Sequence, residues 1–193
     1  MPLIRITCLC IVSLALARCG GESLYEQQTR SLDSLSGAIT QKIKELEKTD
    51  TVLLQRCITR YGYYRQFIKQ NIHDTIGKAE ADHLQRFITG GENLTAFRIN
   101  RRSLMARAKL MQDQQKKLAS DLSKHKVNAT EAGRFVASEM KEGKKLTETI
   151  EAQQKLFYSG VEEFKHSIRE VEALMRLRNH GELPTIVKDT LAL

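Results

Sequence analysis

The chain has 193 residues and a net charge of +8, with 41% hydrophobic and 6% aromatic residues and no tryptophan. This length is sufficient for one domain with a sizeable core. Proline occurs only as Pro2 and Pro184, so nothing between them excludes long helices. Strong helix formers are abundant and no Asn-Gly or Asp-Gly pair occurs, which argues against β-hairpins and predicts an all-α fold.

The N-terminus has the pattern of an export signal. Residues 6–17 follow Arg5, carry no charge and are mostly apolar. A membrane-spanning helix needs about 20 apolar residues, so this stretch is too short to span a bilayer. It fits the apolar region of a secretory signal better than a buried N-terminal strand. We expect residues 1–18 to be removed during export.

The end of this signal contains a cysteine in a distinctive setting. The sequence Leu-Ala-Arg-Cys at residues 16–19, followed by Gly-Gly-Glu, resembles the lipobox and tether of bacterial lipoproteins. The resemblance implies that Cys19 carries a lipid and that residues 19–23 form the tether to a membrane. The alternative is cleavage after Ala17, which leaves a soluble periplasmic or secreted protein. Cys19 could then form a disulfide with Cys57 in an oxidising compartment.

The first helical segment carries an apolar stripe with a seven-residue period. The stripe slips by about one position near Gly62, which predicts a kink or a full break there. Gly90 and Gly91 are predicted to end the segment, because glycine readily adopts the left-handed conformation that stops a helix. The stripe begins with Leu32, Ile39, Leu46 and Leu53.

Two further long helices are predicted. One begins near Asn93, and the other begins at Asn128 and Glu131, which have capping-box spacing, and ends at about Arg178. Residues 24–180 are therefore expected to form an elongated antiparallel bundle of three or four helices with coiled-coil-like heptads, followed by a tail at 181–193. The last helix has its stripe at Val136, Gly143, Ile150, Phe157, Phe164 and Val171.

Several polar side chains occupy core-like positions in these stripes. An unpaired charge is costly to bury, so each of them must reach solvent, find a polar partner or face another molecule. These residues are Lys42, Thr49, Arg56, Arg101, Gln115 and Gln153.

Two Glu-x-x-His pairs raise the question of a metal site. Glu80 with His83 and Glu163 with His166 have the spacing used by di-iron carboxylate bundles. However, a core position for Phe164 turns His166 outward, and the helix over 94–124 contains no Glu. Nucleophile and phosphate-loop motifs are also absent from the sequence after the signal. We therefore expect neither a metal nor another cofactor, and no enzymatic activity.

Charge is concentrated in one segment. Loss of Arg5 and Arg18 with the signal leaves 29 basic and 23 acidic residues, and residues 94–126 alone hold nine basic and two acidic residues. Such a field attracts anionic partners, although a merely solvated face is the simpler alternative. The register turns Leu94, Phe97, Leu104, Met111, Leu118 and Leu122 inward, places Arg101 at the seam, and predicts an outward surface of Arg98, Arg102, Lys109, Lys116 and Lys117.

These features together favour an exported, lipid-anchored helical bundle with a structural or protein-interaction role at the bacterial cell envelope. Its expected partners are the membrane, through the lipid on Cys19, and an acidic protein or anionic surface at residues 94–126. The alternative function is a periplasmic chaperone-like or polyanion-binding module, and a homo-oligomer is a further alternative. Export and the absence of a base-reading motif argue against nucleic acid as a partner.

Overall fold

The computed structural model describes residues 23–72 and 76–185, and these residues form four α-helices without a strand. Residues 1–22, which include the predicted signal and Cys19, lie outside the described part, as do residues 186–193 of the predicted tail. The predicted all-α helical bundle is confirmed. The helices are α1 (Leu24–Glu47), α2 (Thr51–Asn71), α3 (Lys78–Ser123) and α4 (Ala129–Arg178).

Three of these helices begin at a polar side chain that caps the first turn. Ser23 accepts a hydrogen bond from the Glu26 backbone at 3.2 Å, and Glu26 returns the bond to the Ser23 backbone at 2.9 Å, which completes a capping box. Asp50 accepts from the Leu53 backbone at 2.8 Å and starts α2. Asn128 starts α4 in the same way, which confirms its predicted capping role. These bonds satisfy N–H groups that a helix leaves free at its start.

Helices α3 and α4 form a long antiparallel hairpin. Phe97 packs against Phe157 with ring centroids 5.1 Å apart, and Phe87, ten residues earlier, packs against Phe164 at 5.2 Å. At about 1.5 Å per residue, each of these helices is roughly 70 Å long. The two helices therefore extend along the whole bundle and form its scaffold.

Helices α1 and α2 together form the third arm of the bundle. As the chain advances through α1, the residues that it contacts on α3 and in the connection after α3 have steadily lower numbers. This order continues from α1 into α2. The fold therefore has three arms in cross-section but four helices in sequence. The pairs are Tyr25 with Val127, Thr40 with Gln112, and Gln55 with Arg98.

The position predicted for the break in the first segment was wrong. Helix α2 continues through Gly62, which is exposed, and the break lies at residues 48–50 instead. After the break the buried positions are Leu54 and Tyr61, one residue later than the expected stripe through Leu53. Asp50 explains this shift, because its cap fixes where the next helix begins.

Arg101 stabilises the break from the other side of the seam. Its Nε and Nη2 atoms both donate to the Leu46 carbonyl oxygen, at 3.0 and 2.9 Å. The last carbonyl groups of a helix lack intrahelical partners and attract positive charge. Arg101 was expected at the seam of the bundle, and its side chain serves there as a cap for the end of α1.

The prediction that Gly90 and Gly91 end a helix was also wrong. The chain separates α2 from α3 at residues 72–77, and α3 then continues through both glycines. A Cβ atom on Gly90 would lie 2.9 Å from the Gly160 carbonyl oxygen and 2.9 Å from the Phe164 backbone nitrogen. A Cβ atom on Gly91 would overlap the ring of Tyr61. Both glycines thus permit close packing inside the bundle.

The buried apolar residues form two clusters of unequal size. The larger contains an aromatic group, named here the aromatic end, made of Tyr61, Tyr64, Phe87 and Phe164. The smaller lies at the opposite end, where α1 begins and α3 joins α4, and is named here the connector end. It consists of Leu32, Leu122, Ala132 and Val136.

Gln115 separates the two clusters. Its side chain is 1% exposed, and neither its Nε2 nor its Oε1 atom has a hydrogen-bond partner. Along α3 it lies between Met111, which packs on the larger cluster, and Leu118, which packs on the smaller. Of the polar residues predicted at core-like positions, this one is buried without a polar partner.

The other core-like polar residues find partners or solvent. Lys42 lies 3.0 Å from both Glu151 and Glu45, and these hydrogen bonds raise the pKa of Lys42. Gln153 accepts a hydrogen bond from Asn100 at 3.2 Å. Arg56 is exposed, and Thr49 lies in the break between α1 and α2. None of the described helices is both long and apolar enough to cross a bilayer.

Candidate anionic-partner surface on α3

Helix α3 has two chemically different halves. Its first part, residues 78–93, contains two basic and three acidic residues, whereas its second part together with the three residues that follow the helix, residues 94–126, contains nine basic and two acidic residues. The second half faces the bundle through buried Leu94, Phe97, Leu104 and Leu122, with Met111 and Leu118 partly buried. This inward face fixes the rotation of α3 and so determines which side chains point outward.

The five basic residues predicted to face outward are all exposed. Their spacings of four, seven and seven residues place the first four within a sector of about 40° on the helix, and the fifth lies farther round the same outer face. They are named here the α3 basic surface: Arg98, Arg102, Lys109, Lys116 and Lys117.

Within the described part of the chain, this surface has few polar partners, and one acidic residue, Asp113, lies exposed on the same face of α3. Arg98 donates to Gln55 at 3.5 Å, the upper limit of a hydrogen bond. Arg102, Lys109, Lys116 and Lys117 form no salt bridge with a described residue. The positive charge of these side chains is therefore available to a partner.

Two large apolar side chains lie beside the α3 basic surface. Ile99 is 66% exposed and Leu110 is 59% exposed. A step of 100° per residue places them within about 20° of each other on the helix, next to the sector that holds Arg102 and Lys109. The sequence prediction did not single them out, although their outward register positions carried the signal.

The two Glu-x-x-His pairs do not come together. The Glu80 carboxylate accepts a hydrogen bond from the Gly77 backbone at 2.8 Å at the start of α3. The His166 side chain is 69% exposed and lies 3.7 Å from Glu162. Across residues 23–72 and 76–185, no three His, Cys, Asp or Glu side chains are grouped so as to hold a metal ion. The absence of a cofactor stays a prediction.

Two clefts lie at the ends of the bundle. A cleft of about 560 Å³ at the connector end includes Tyr25 and His125, whose rings meet edge to face with centroids 4.7 Å apart. A cleft of about 400 Å³ near the aromatic end is lined by Leu174, Leu177 and His83, whose Nδ1 atom is buried without a partner. Neither cleft was predicted from the sequence, because each combines two segments that lie about 90 residues apart in the chain.

Cys57 is buried in the larger cluster and is 6% exposed. Burial raises the pKa of its thiol, which disfavours the reactive thiolate. Cys19, the predicted lipid-bearing residue, lies outside the described residues. The choice between a lipid on Cys19 and a disulfide with Cys57 therefore stays open.

Comparison with protein-family models, with curated proteins and with solved structures finds no match to this chain. A functional assignment therefore depends on the chemistry of its own residues.

Proposed function

We propose that this protein is an exported helical bundle, held at the cell envelope by a lipid on Cys19, that presents the α3 basic surface to an anionic partner. The observation that carries the proposal is the surface itself. It groups five exposed basic side chains on one helix, and four of them form no salt bridge with a described residue. Clustered charge of one sign raises both the local concentration and the association rate of an oppositely charged partner.

The distribution of charge along the bundle supports a role in binding rather than in folding. Exposed ion pairs and exposed charges contribute little to stability. The hydrophobic contacts of α3 are made on its opposite side, by residues such as Phe97 and Leu104. A basic surface separated in this way from the core can interact with a partner without disturbing the fold.

A binding measurement with a soluble polyanion, polyglutamate, tests this role. We expect the wild-type chain to bind at low salt and to release as salt rises, because the Debye length shortens to about 8 Å at physiological ionic strength. A surface variant with Gln at Arg98, Arg102, Lys109 and Lys116 should lose this binding, while its free energy of unfolding changes by less than about 0.5 kcal/mol.

The matched control removes the same charge from exposed positions on α4. It carries Gln at Arg134, Lys141, Lys145 and Lys155. We expect it to bind polyglutamate nearly as well as the wild type. Equal losses in the two variants would show that only net charge matters and would contradict a specific surface on α3.

The anchor is tested by the intact mass of the mature protein. We expect an N-terminus at Cys19 with added diacylglycerol, and we expect Cys19→Ala to release the protein into the soluble fraction. An unmodified N-terminus at Arg18 would contradict the anchor. It would leave the proposal for the α3 basic surface standing.

A further inference from the structure

The outer face of α3 combines two chemistries side by side. Arg98, Arg102, Lys109 and Lys116 occupy one flank, and the exposed side chains of Ile99, Leu110 and Lys117 occupy the neighbouring flank. A purely acidic protein surface would match the basic flank but would leave both apolar side chains in contact with its charges. An anionic bilayer offers phosphate groups to the first flank and acyl chains to the second.

The length of this face points the same way. It is the outer side of a single helix and extends for about 45 Å over residues 94–123. None of the five residues of the α3 basic surface lines the cleft at the connector end or the cleft near the aromatic end. A long face on one helix fits an extended counter-surface.

We propose that the partner of the α3 basic surface is an anionic lipid bilayer, with Ile99 and Leu110 inserted at its interface. This inference rests on the proposed function and names the partner class for the same surface. The bundle then lies with α3 along the membrane. Its basic residues contact lipid phosphates, and its two apolar side chains enter the boundary between headgroups and acyl chains.

The position at which α1 begins agrees with this orientation. The described residues begin at Ser23, and the hydroxyl of Tyr25 donates to the Val127 carbonyl at 3.1 Å, so α1 begins at the connector end. The basic half of α3 ends at the same end of the bundle. A tether that precedes Ser23 and the α3 basic surface can therefore reach one membrane together.

The α3 basic surface would add an electrostatic contact to the lipid anchor. Diacylglycerol on Cys19 supplies two acyl chains, which already give stable attachment, so this second contact would orient the bundle on the membrane. Each Lys or Arg near an anionic bilayer strengthens binding about fivefold.

Vesicle co-sedimentation tests the proposal without any contribution from the lipid anchor. The full chain carrying Cys19→Ala is mixed with phosphatidylcholine vesicles that contain phosphatidylglycerol, and with vesicles of phosphatidylcholine alone. We expect binding to the anionic vesicles only. Gln at Arg98, Arg102, Lys109 and Lys116 should weaken this binding about 600-fold, which is fivefold for each of the four residues, and the α4 charge control should retain most of it.

The apolar contribution needs its own variant. Replacing both Ile99 and Leu110 with Ser should weaken binding to anionic vesicles roughly tenfold, because it removes the insertion of apolar surface. The matched control carries Tyr158→Ser and Leu177→Ser on α4, where the side chains are 64% and 74% exposed. This control should bind as the wild type does.

The possible results separate this proposal from the proposed function. Binding to polyglutamate without binding to anionic vesicles would overturn the bilayer as partner and leave an acidic protein as partner of the same surface. Vesicle binding that is unchanged by the Ile99 and Leu110 substitutions would overturn the insertion. Failure to bind either polyanion or vesicles at low salt would overturn both proposals.

Discussion

The two ends of the bundle are packed by different means. At the aromatic end, Tyr61 and Phe87 lie 5.6 Å apart between ring centroids, and glycines let α3 approach its neighbours closely. At the connector end, the small cluster around Leu32 and Leu122 is separated from the main core by the unpartnered amide of Gln115. The same three-arm architecture thus contains one densely packed end and one interrupted end.

This difference indicates which part of the bundle provides its stability and which part carries its surface chemistry. Aromatic side chains bury large areas, and their mutual packing adds to that gain. The connector end buries fewer large side chains and contains a polar group whose desolvation is uncompensated. The exposed basic half of α3 extends from the part of the larger cluster around Phe97 to this thinner end. We infer that the aromatic end contributes most to stability, while the binding surface lies on the remaining length of α3.

The largest expected effect comes from Gly91→Ala at the aromatic end. The new methyl group would overlap the buried ring of Tyr61, so this ring would have to leave its place in the core. Overpacking of this kind should lower the free energy of unfolding by about 3 kcal/mol, measured by chemical denaturation.

Gly62→Ala is the matched control for that substitution. Its Cβ would meet nothing within 4 Å, and Gly62 also lies inside a helix. Alanine there should raise stability by about 0.5 kcal/mol, because it removes the entropic cost of glycine. Equal effects at both glycines would show that helix propensity, and not close packing, dominates the aromatic end.

A smaller effect of opposite sign is expected from Gln115→Leu at the connector side. A leucine would join the two apolar clusters and remove a buried amide without hydrogen bonds. We expect the free energy of unfolding to rise by about 2 kcal/mol. Gln114→Leu, at a neighbouring exposed position, should have little effect. A loss of stability in the Gln115 variant would indicate that buried water satisfies the amide.

The smallest expected effect comes from Tyr64→Phe, which is again at the aromatic end. The Tyr64 hydroxyl donates to the Glu172 carboxylate at 2.8 Å, and Tyr64→Phe should cost about 1 kcal/mol at neutral pH. Burial, together with this hydrogen bond, raises the pKa of Tyr64 to about 12 from an ordinary value of 10. The folded state therefore favours the neutral hydroxyl.

That shift gives a pH dependence with a definite sign. The contribution is fully present below pH 10 and is lost as pH rises from 10 towards 12. We expect Tyr64→Phe to reduce the alkaline loss of stability, measured by thermal unfolding, while Tyr158→Phe at an exposed position should not. An identical alkaline loss in the wild type and the Tyr64 variant would contradict the shift.

Much of the architecture followed from local sequence signals. The helix after Asn128, its end at Arg178 and its buried stripe were predicted, because a cap and a long seven-residue period act locally. The breaks were not predicted, since Gly62 and Gly90 are ambiguous in sequence. An interior glycine weakens a helix locally, yet the helix can continue through the glycine when it packs closely against another arm there. The arms that meet at Gly90 are 70 residues apart in the chain.

The candidate surface was predictable in part. Exposure of Arg98 and Lys109 followed from the inward register of Phe97 and Leu104, which is a local property. The role of Arg101 did not follow, because its partner is a carbonyl group that exists only where α1 ends. The pairing of Lys42 with Glu151 likewise depends on the packing of α1 against α4.

The number of residues in the short connection between α1 and α2 helps to determine how α2 packs in the bundle. The three residues of this connection, 48–50, shift the buried stripe by one position while the order of contacts along α3 continues unchanged. One residue inserted before Asp50 would move the start of α2 relative to the end of α1, and it would displace the apolar face of α2 from its partners. We therefore expect homologous chains to tolerate substitutions at this joint far better than insertions or deletions.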